Sequence, residues 1–390
     1  MKADREGPEP GRPPHLLRGD EPTLPSHWYV DPAHHRRELA SIWYRRWLCV
    51  GREEELPEAR SFAVIGIGDQ SVLLLRDAGG ALRAFHNTCR HRGSRLCDDA
   101  RGRLRAAAIV CPYHGWTYGL DGSLRGARHQ LASPAFRREE HALYPVAVES
   151  WGGFVFVNLQ GGAAHPLASE QGDARDALTR WPLASLRVGH REVVSLACDW
   201  KVFWENFSEC FHCPGVHPEL ARLVPIYGRG LLDPSDEGAR PPARGAEASG
   251  PLAPGAETWT LDGRSRLPPL PGLGDAERRR GHVFGVFWPS VFVVAHVDYA
   301  RSVRLRPLGP ERTELVVEWL FDPAVLARGD LDLEPIVALG RRVVEQDGRV
   351  CERNQQGLHC IAHERGVLVA QEYGVFEFQQ WVREQLRSPG

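Results

Sequence analysis

With 390 residues, 42% apolar and 25% charged, the chain has the make-up of an ordinary globular protein, long enough for two domains, and fibrous and disordered classes are excluded. Its formal net charge of −2 argues against a polyanionic partner such as nucleic acid. Met1 to Arg12 is charged without an apolar stretch and Val283 to Val297 is short and interrupted by Pro289, so neither a leader nor a membrane span is read and a cytoplasmic location is expected.

In chain order, residues 1–44 are expected to form a segment packed on the larger C-terminal domain. Residues 45–162 read as a small all-β domain, with strands Phe62 to Ile67, Val72 to Arg76, Leu82 to Asn87, Ala107 to Val110 and Phe154 to Asn158. Turn signals at Asp77-Ala-Gly-Gly80 and Asp121-Gly122 separate them. Residues 163–390 combine strands (Val283 to Phe287, Val291 to His296, Ser302 to Arg306, Thr313 to Phe321) with a helical pattern over Leu331 to Asn354, an α+β texture. Residues 228–281 are dense in Pro, Gly, Ala and Arg and read as a long loop or lid. Gly66-Ile-Gly68 lacks the third glycine of a dinucleotide fingerprint, so nicotinamide or flavin chemistry is expected from another protein.

Two constellations carry chemistry. Cys89-Arg-His91 and Cys111-Pro-Tyr-His114, nineteen residues apart, each follow a strand and can converge as two loops on one metal centre. Two thiolates on one iron and two imidazoles on the other make a [2Fe–2S] centre of raised potential. Gly93 and Gly115 follow the ligands, where backbone must come close. A Cys2His2 zinc site is the alternative, but zinc modules usually use tight pairs of like ligands or a helical histidine pair.

In the second constellation His212 and His217 are five apart, about 140° around an unbroken helix. Pro214 and Gly215 are expected to break that helix and turn both inward. Glu209, three before His212, shares its face. In the distant helical stretch Val343, Val344, Asp347, Val350 and Cys351 form one stripe, which puts Asp347 on an apolar face where a carboxylate needs a partner. His212, His217 and Asp347 together suit a 2-His-1-carboxylate site for Fe(II) with open positions. Cys210 and Cys213 are expected to be two small packing residues, since a redox C-x-x-C normally opens a helix in a βαβ unit.

Cys89-Arg-His91-Arg-Gly93 and Cys111-Pro-Tyr-His114-Gly-Trp116 resemble the Rieske motif of ring-hydroxylating and related non-haem iron oxygenases. Ser94 and Tyr113 do not supply the extra cysteines of respiratory Rieske proteins, and the gap between the two motifs is slightly longer than the resemblance implies, with Asp98 to Arg105 expected as a surface insertion. Asn206-x-x-Glu209-Cys-x-His212-Cys, Gln346-Asp347-x-x-x-Cys351-Glu352, Asp298-Tyr299, Leu305-Arg-Pro307 and the tail Glu372 to Trp381 are similar to the quaternary-ammonium subgroup: choline, glycine betaine and carnitine oxygenases and stachydrine demethylases. The resemblance covers nearly the whole chain except the Pro/Gly-rich loop.

That resemblance implies a small all-β Rieske domain and a helix-grip α+β catalytic domain with an antiparallel sheet. It implies a [2Fe–2S] cluster on Cys89, His91, Cys111 and His114, and a mononuclear Fe(II) on His212, His217 and Asp347. Electrons would come from a separate NAD(P)H-dependent flavin/iron–sulfur reductase and O2 would be the oxidant. In a homotrimer, Glu209, where the family commonly has Asp, would bridge the centres by accepting a hydrogen bond from a neighbouring subunit's His91 or His114. The expected reaction is hydroxylation or N-demethylation of a small quaternary amine held on aromatic faces, for which Phe203, Trp204, Trp288, Phe292 and Tyr299 are candidates. Three alternatives are weighed: an aromatic-ring dihydroxylating alpha subunit, against which Glu209 counts; a non-enzymatic Rieske electron carrier, which would not need the second iron site; and a two-zinc structural protein, which would be colourless where a Rieske cluster absorbs visible light.

Overall fold

A computed structural model of the chain describes residues 17, 19–127, 134–230, 250–329 and 331–387, so 231–249 of the Pro/Gly-rich stretch lie outside the described residues. In the first half, β-branched and aromatic runs build a seven-stranded antiparallel sheet in the order Leu48–Arg52, Phe154–Asn158, Pro145–Trp151, Leu82–His86, Gln70–Arg76, Ser61–Ile67, Arg101–Arg103. Side-chain alternation gives this sheet two cores. Leu73 and Leu75 pack with Phe62, Phe85, Trp116 and Tyr118, whereas Val72 and Leu74 join a large core shared with the second half of the chain. A small sheet of Ala108–Val110, Trp116–Gly119 and Leu124–Ala127 completes the first core. The expected insertion Asp98 to Arg105 is partly a strand: Arg101–Arg103 pairs with Ser61–Ala63 while Arg101 and Arg103 reach Glu55 and Glu58.

In the second half, five antiparallel strands run in the order Arg187–Leu196, Arg312–Phe321, Ala300–Gly309, Val291–His296, His282–Phe287. Helices Trp200–Phe207, Glu334–Gly357 and Tyr373–Arg387 contribute their apolar sides to the core against this sheet. The arrangement is the α+β class expected, and no helix among the described residues is long and apolar enough to cross a membrane.

The segment before residue 45 is tied to the second half. Glu21–Pro22 pairs with Val367–Leu368, and the Tyr29 hydroxyl donates to Glu205 at 2.6 Å. The Lys201 ammonium lies 2.7 Å from Glu38 and 2.7 Å from Asp199, and donates to the Trp28 carbonyl at 3.0 Å. One cation cannot neutralise two buried carboxylates. Burial, followed by the Glu38 charge, pushes Asp199 up to about 8 against the pull of Lys201, whereas at Glu38 the Lys201 and His34 contacts outweigh burial and keep it low.

Residues 250–281, expected as loop, are fastened to the sheet. Thr258 and Ser265 donate to Asp298 at 2.5 and 2.7 Å, and the Leu270 amide donates to the Val297 carbonyl at 2.7 Å. Trp259, Leu267, Leu270 and Leu273 are buried, spaced too irregularly to show as a periodic element in the sequence.

Candidate functional site

Two similar turns at the tip of the β-domain bring the first four residues together. In each, the cysteine carbonyl accepts from a glycine amide four residues on, Gly93 to Cys89 and Gly115 to Cys111, both at 3.0 Å. Both glycines have positive φ, 74° and 70°, a region other residues enter only at a cost. Cys89 and Cys111 are buried and free, while His91 and His114 are exposed with ring centroids 4.7 Å apart. His91 stacks on Trp116 at 4.9 Å, and the Tyr118 hydroxyl lies 3.2 Å from Cys89 Sγ. Two unoxidised thiols inside and two imidazoles outside form the donor set a Rieske cluster requires, with the imidazole side turned to solvent.

The second centre is built where the helix Trp200–Phe207 ends. The chain breaks at Ser208 to Phe211, earlier than Pro214 and Gly215 had suggested. Pro214 instead sits in the first turn of a one-turn helix, Cys213–Val216, where its missing N–H is tolerated. Glu209 therefore does not share a helix face with His212. Its carboxylate accepts the His212 Nδ1–H at 2.5 Å and the amides of Phe211 and His212. His217 Nδ1 is bonded to Gln346 Oε1 at 2.8 Å.

With both Nδ1 atoms engaged, both Nε2 atoms turn toward Asp347. His212 Nε2 and His217 Nε2 are 3.2 Å apart, and lie 3.5 and 2.8 Å from the same Asp347 oxygen. Three adjacent corners of an octahedron with bonds of ~2.1 Å are ~3.0 Å apart, so this triangle fits a first-row metal ion with an open face. Burial raises the Asp347 carboxyl, but the two histidines outweigh it and hold it below its usual range; burial lowers His212, but Asp347 and Glu209 bring it up to about 9.

Cys210 and Cys213 are joined in a disulfide, which corrects the expectation of two separate packing residues. The turn through His212 brings their Cα atoms to 4.9 Å, inside the disulfide range. Cys213 Sγ, 3.8 Å from His212 Nε2, is thereby no thiolate donor.

The triangle opens on a cavity of about 660 Å³. Of the aromatic candidates, Phe203, Trp288 and Phe292 line it; Trp204 and Tyr299 do not. Trp204 Nε1 is spent on the Pro289 carbonyl at 2.7 Å and the Tyr299 hydroxyl on the Trp259 carbonyl at 2.8 Å, both deep in the core. Phe207, Phe284, Tyr227, Trp259 and Arg301 also line the cavity and were not singled out from the sequence. Phe207 stacks on Phe292 at 3.8 Å, giving the wall a continuous aromatic surface.

Residues 46–137 match the profile of the Rieske [2Fe-2S] domain, and residues 183–388 that of the ring hydroxylating alpha subunit catalytic domain. The chain is 32% identical to the glycine betaine monooxygenase oxygenase subunit of Chromohalobacter salexigens, over 95% of this chain and 87% of that protein. It is 29% identical to the chloroplastic choline monooxygenase of Spinacia oleracea, over 96% and 80%. A quaternary ammonium Rieske monooxygenase solved with gamma-butyrobetaine superposes with a TM-score of 0.70 at 21% identity, covering 95% of this chain and 97% of that one. A further solved quaternary ammonium Rieske monooxygenase, with a TM-score of 0.70 at 20% identity over 95% of this chain and 96% of that one, gives insight into carnitine oxidation and inter-subunit electron transfer. Naphthalene 1,2-dioxygenase from a Rhodococcus species shares the fold, with a TM-score of 0.68 at 21% identity over 94% and 95%.

Proposed function

The chain belongs to the family of Rieske non-haem iron oxygenase alpha subunits, and from that premise we propose that it is the terminal oxygenase of a system that oxidises a small quaternary ammonium compound. In this reading residues 45–162 form the Rieske domain and 163–390 the catalytic domain, with 1–44 packed on the latter. Cys89, Cys111, His91 and His114 hold the [2Fe–2S] cluster, and His212, His217 and Asp347 hold the mononuclear iron. When bound, the cluster passes single electrons from a separate reductase and the mononuclear iron activates dioxygen.

The chain's own residues do the positioning. Glu209 and Gln346 fix the rings of His212 and His217 and so aim their Nε2 atoms. In a homotrimer the exposed His91 or His114 of one subunit would donate to Glu209 of the next, and a flavin/iron–sulfur reductase would dock on the cluster side. These two assignments rest on the exposure of the imidazoles and on the inter-subunit transfer described for the fold neighbour. The aromatic wall excludes water and presents π-faces to a cation that has no proton to donate.

The observation that carries the substrate class is the aromatic wall around the triangle, read beside relatives named for glycine betaine and choline. One dioxygen, two electrons and two protons convert an N-methyl group to a hemiaminal and water. The hemiaminal collapses to formaldehyde and the protonated tertiary amine; on another carbon the product is an alcohol. The test is oxygen uptake by the reconstituted protein with a surrogate reductase over glycine betaine, carnitine, choline and simple arenes. Uptake coupled to formaldehyde or alcohol from an amine is expected. Amines that give nothing, with an arene giving a cis-diol, would make the chain a ring dihydroxylase instead.

A further inference from the structure

The cavity holds a buried cation that has no ion-pair partner among the described residues; Asp347 attracts it only from beyond contact distance. Arg301, on strand Ala300–Gly309, is 4% exposed, borders the cavity, and has neither Nε nor Nη1 in a hydrogen bond. Among the described residues it forms no ion pair. Its neighbour on the strand, Arg304, shows the ordinary solution, an ion pair with Glu318 at 3.1 Å. Arginine does not escape burial by losing its proton, so an unmatched guanidinium in such a place is costly unless something anionic arrives.

The surroundings leave room for that. Phe284, Val294, Arg301 and Trp319 stand side by side across four strands, so the guanidinium projects from the face that carries the aromatic wall. It lies over the Trp259 ring, 5.9 Å from the centroid. Opposite, the helix Glu334–Gly357 has Gly340, where a Cβ would sit 2.5 Å from Arg301 Nη1. Seven residues further along the same helix is Asp347, about 10 Å away by helical rise. The cavity thus has the metal triangle at one end, aromatic faces along it and a positive charge at the other.

We propose that Arg301 receives the carboxylate of the substrate, and that this cavity takes a betaine, a quaternary ammonium bearing a carboxylate, in preference to one ending in a hydroxyl. The proposal rests on the quaternary-ammonium reading of the same site. The carboxylate accepts charge-assisted hydrogen bonds from a guanidinium whose Nε and Nη1 are otherwise unbonded, while the trimethylammonium end reaches toward the triangle.

Binding is measured calorimetrically on the anaerobic holoenzyme with glycine betaine, choline and 3,3-dimethylbutanoate, the uncharged-carbon analogue of glycine betaine. Wild type should bind glycine betaine about tenfold or more tightly than choline. Arg301→Gln should lose about tenfold or more for glycine betaine with little change for choline, and Arg301→Lys should restore part of the loss. Gly340→Ala, which crowds Nη1, should weaken glycine betaine selectively. Should Arg301→Gln not fold, as judged by its cluster spectrum and melting, the wild-type ranking of the three ligands and Gly340→Ala decide the matter. Equal affinities for glycine betaine and choline, untouched by these variants, would overturn the role of Arg301 and leave the ammonium reading standing. Tight 3,3-dimethylbutanoate with no gain from the ammonium would overturn the ammonium reading and with it the preference for a betaine, and no binding of either ammonium compound would overturn both.

Discussion

Acidification from pH 7.5 to 5.5 should destabilise the fold through two histidines outside the metal sites. His282 and His296 pair across neighbouring strands and are unexposed. Neither ring nitrogen of His296 has a hydrogen-bond partner, nor does Nδ1 of His282. Burial, helped by Arg280, lowers His282 from the ordinary 6.5 to about 3; burial, then the charges of His282 and Arg301, hold His296 well below 6.5. Between pH 6.5 and 3 the unfolded chain therefore binds protons that the folded chain refuses, so stability is present at neutral pH and falls as pH drops through 6.5. At pH 5.5 each histidine costs about 1.4 kcal/mol, about 3 kcal/mol for the pair, against about 0.1 kcal/mol at pH 7.5. That is a large share of the roughly 5–15 kcal/mol that holds a domain folded. Urea unfolding at both pH values, compared between wild type and His282→Gln, His296→Gln and the double variant, isolates the effect, because every other titrating group is common to all. Each single variant should lose about 1.4 kcal/mol of the pH dependence, whatever its absolute stability. Parallel pH slopes in wild type and double variant would refute the reasoning.

Cys89→Ser or Cys111→Ser should abolish the cluster's electron paramagnetic resonance signal while leaving mononuclear iron binding intact, since each removes one of two thiolates on the same iron; a native signal in either would end the ligand assignment. Glu209→Gln keeps the length of the side chain that steadies His212, so both metals and dithionite reduction should survive while oxygen consumption is nearly lost. Asp347→Asn should deplete the mononuclear iron, measured by metal analysis, and the opposite pattern would exchange the two roles. Lys201→Met strands the Glu38 carboxylate without its cation, Asp199 being pushed up to about 8, and should cost about 3–5 kcal/mol in urea melts; a loss under about 1 kcal/mol would mean that Glu38 is already neutral in the native state.

How far the sequence reveals the site depends on how local each signal is. The convergence of Cys89, His91, Cys111 and His114 was legible because both halves are short loops following strands of clear alternation. Asp347 was legible as an acid on an apolar stripe. The conformation around His212 was not: Pro and Gly suggested where a helix could break, but Glu209 caps the following turn and moves the break to Ser208–Phe211. Trp204 and Tyr299 failed as wall residues because a run of aromatics does not tell which side of a core faces a cavity. Tyr227 and Trp259 come from irregular segments, and only the fold brings them together. Arg301 did leave a signal, since alternation along Arg301, Val303 and Leu305 puts a charge on the inward face of the strand. The disulfide depended on how the turn through His212 closes, which spacing alone does not give.

One rigid helix, Glu334–Gly357, carries Gly340, Gln346 and Asp347 together. The distance from the guanidinium pocket to the reacting end is therefore a ruler with fixed graduations, unchanged by any rocking of the β-domain. Chain length in the substrate is then read against helical rise: each added methylene lengthens a betaine by about as much as one residue of helix, ~1.5 Å. A shift of the small residue from 340 to 344 would shorten the ruler by roughly one turn.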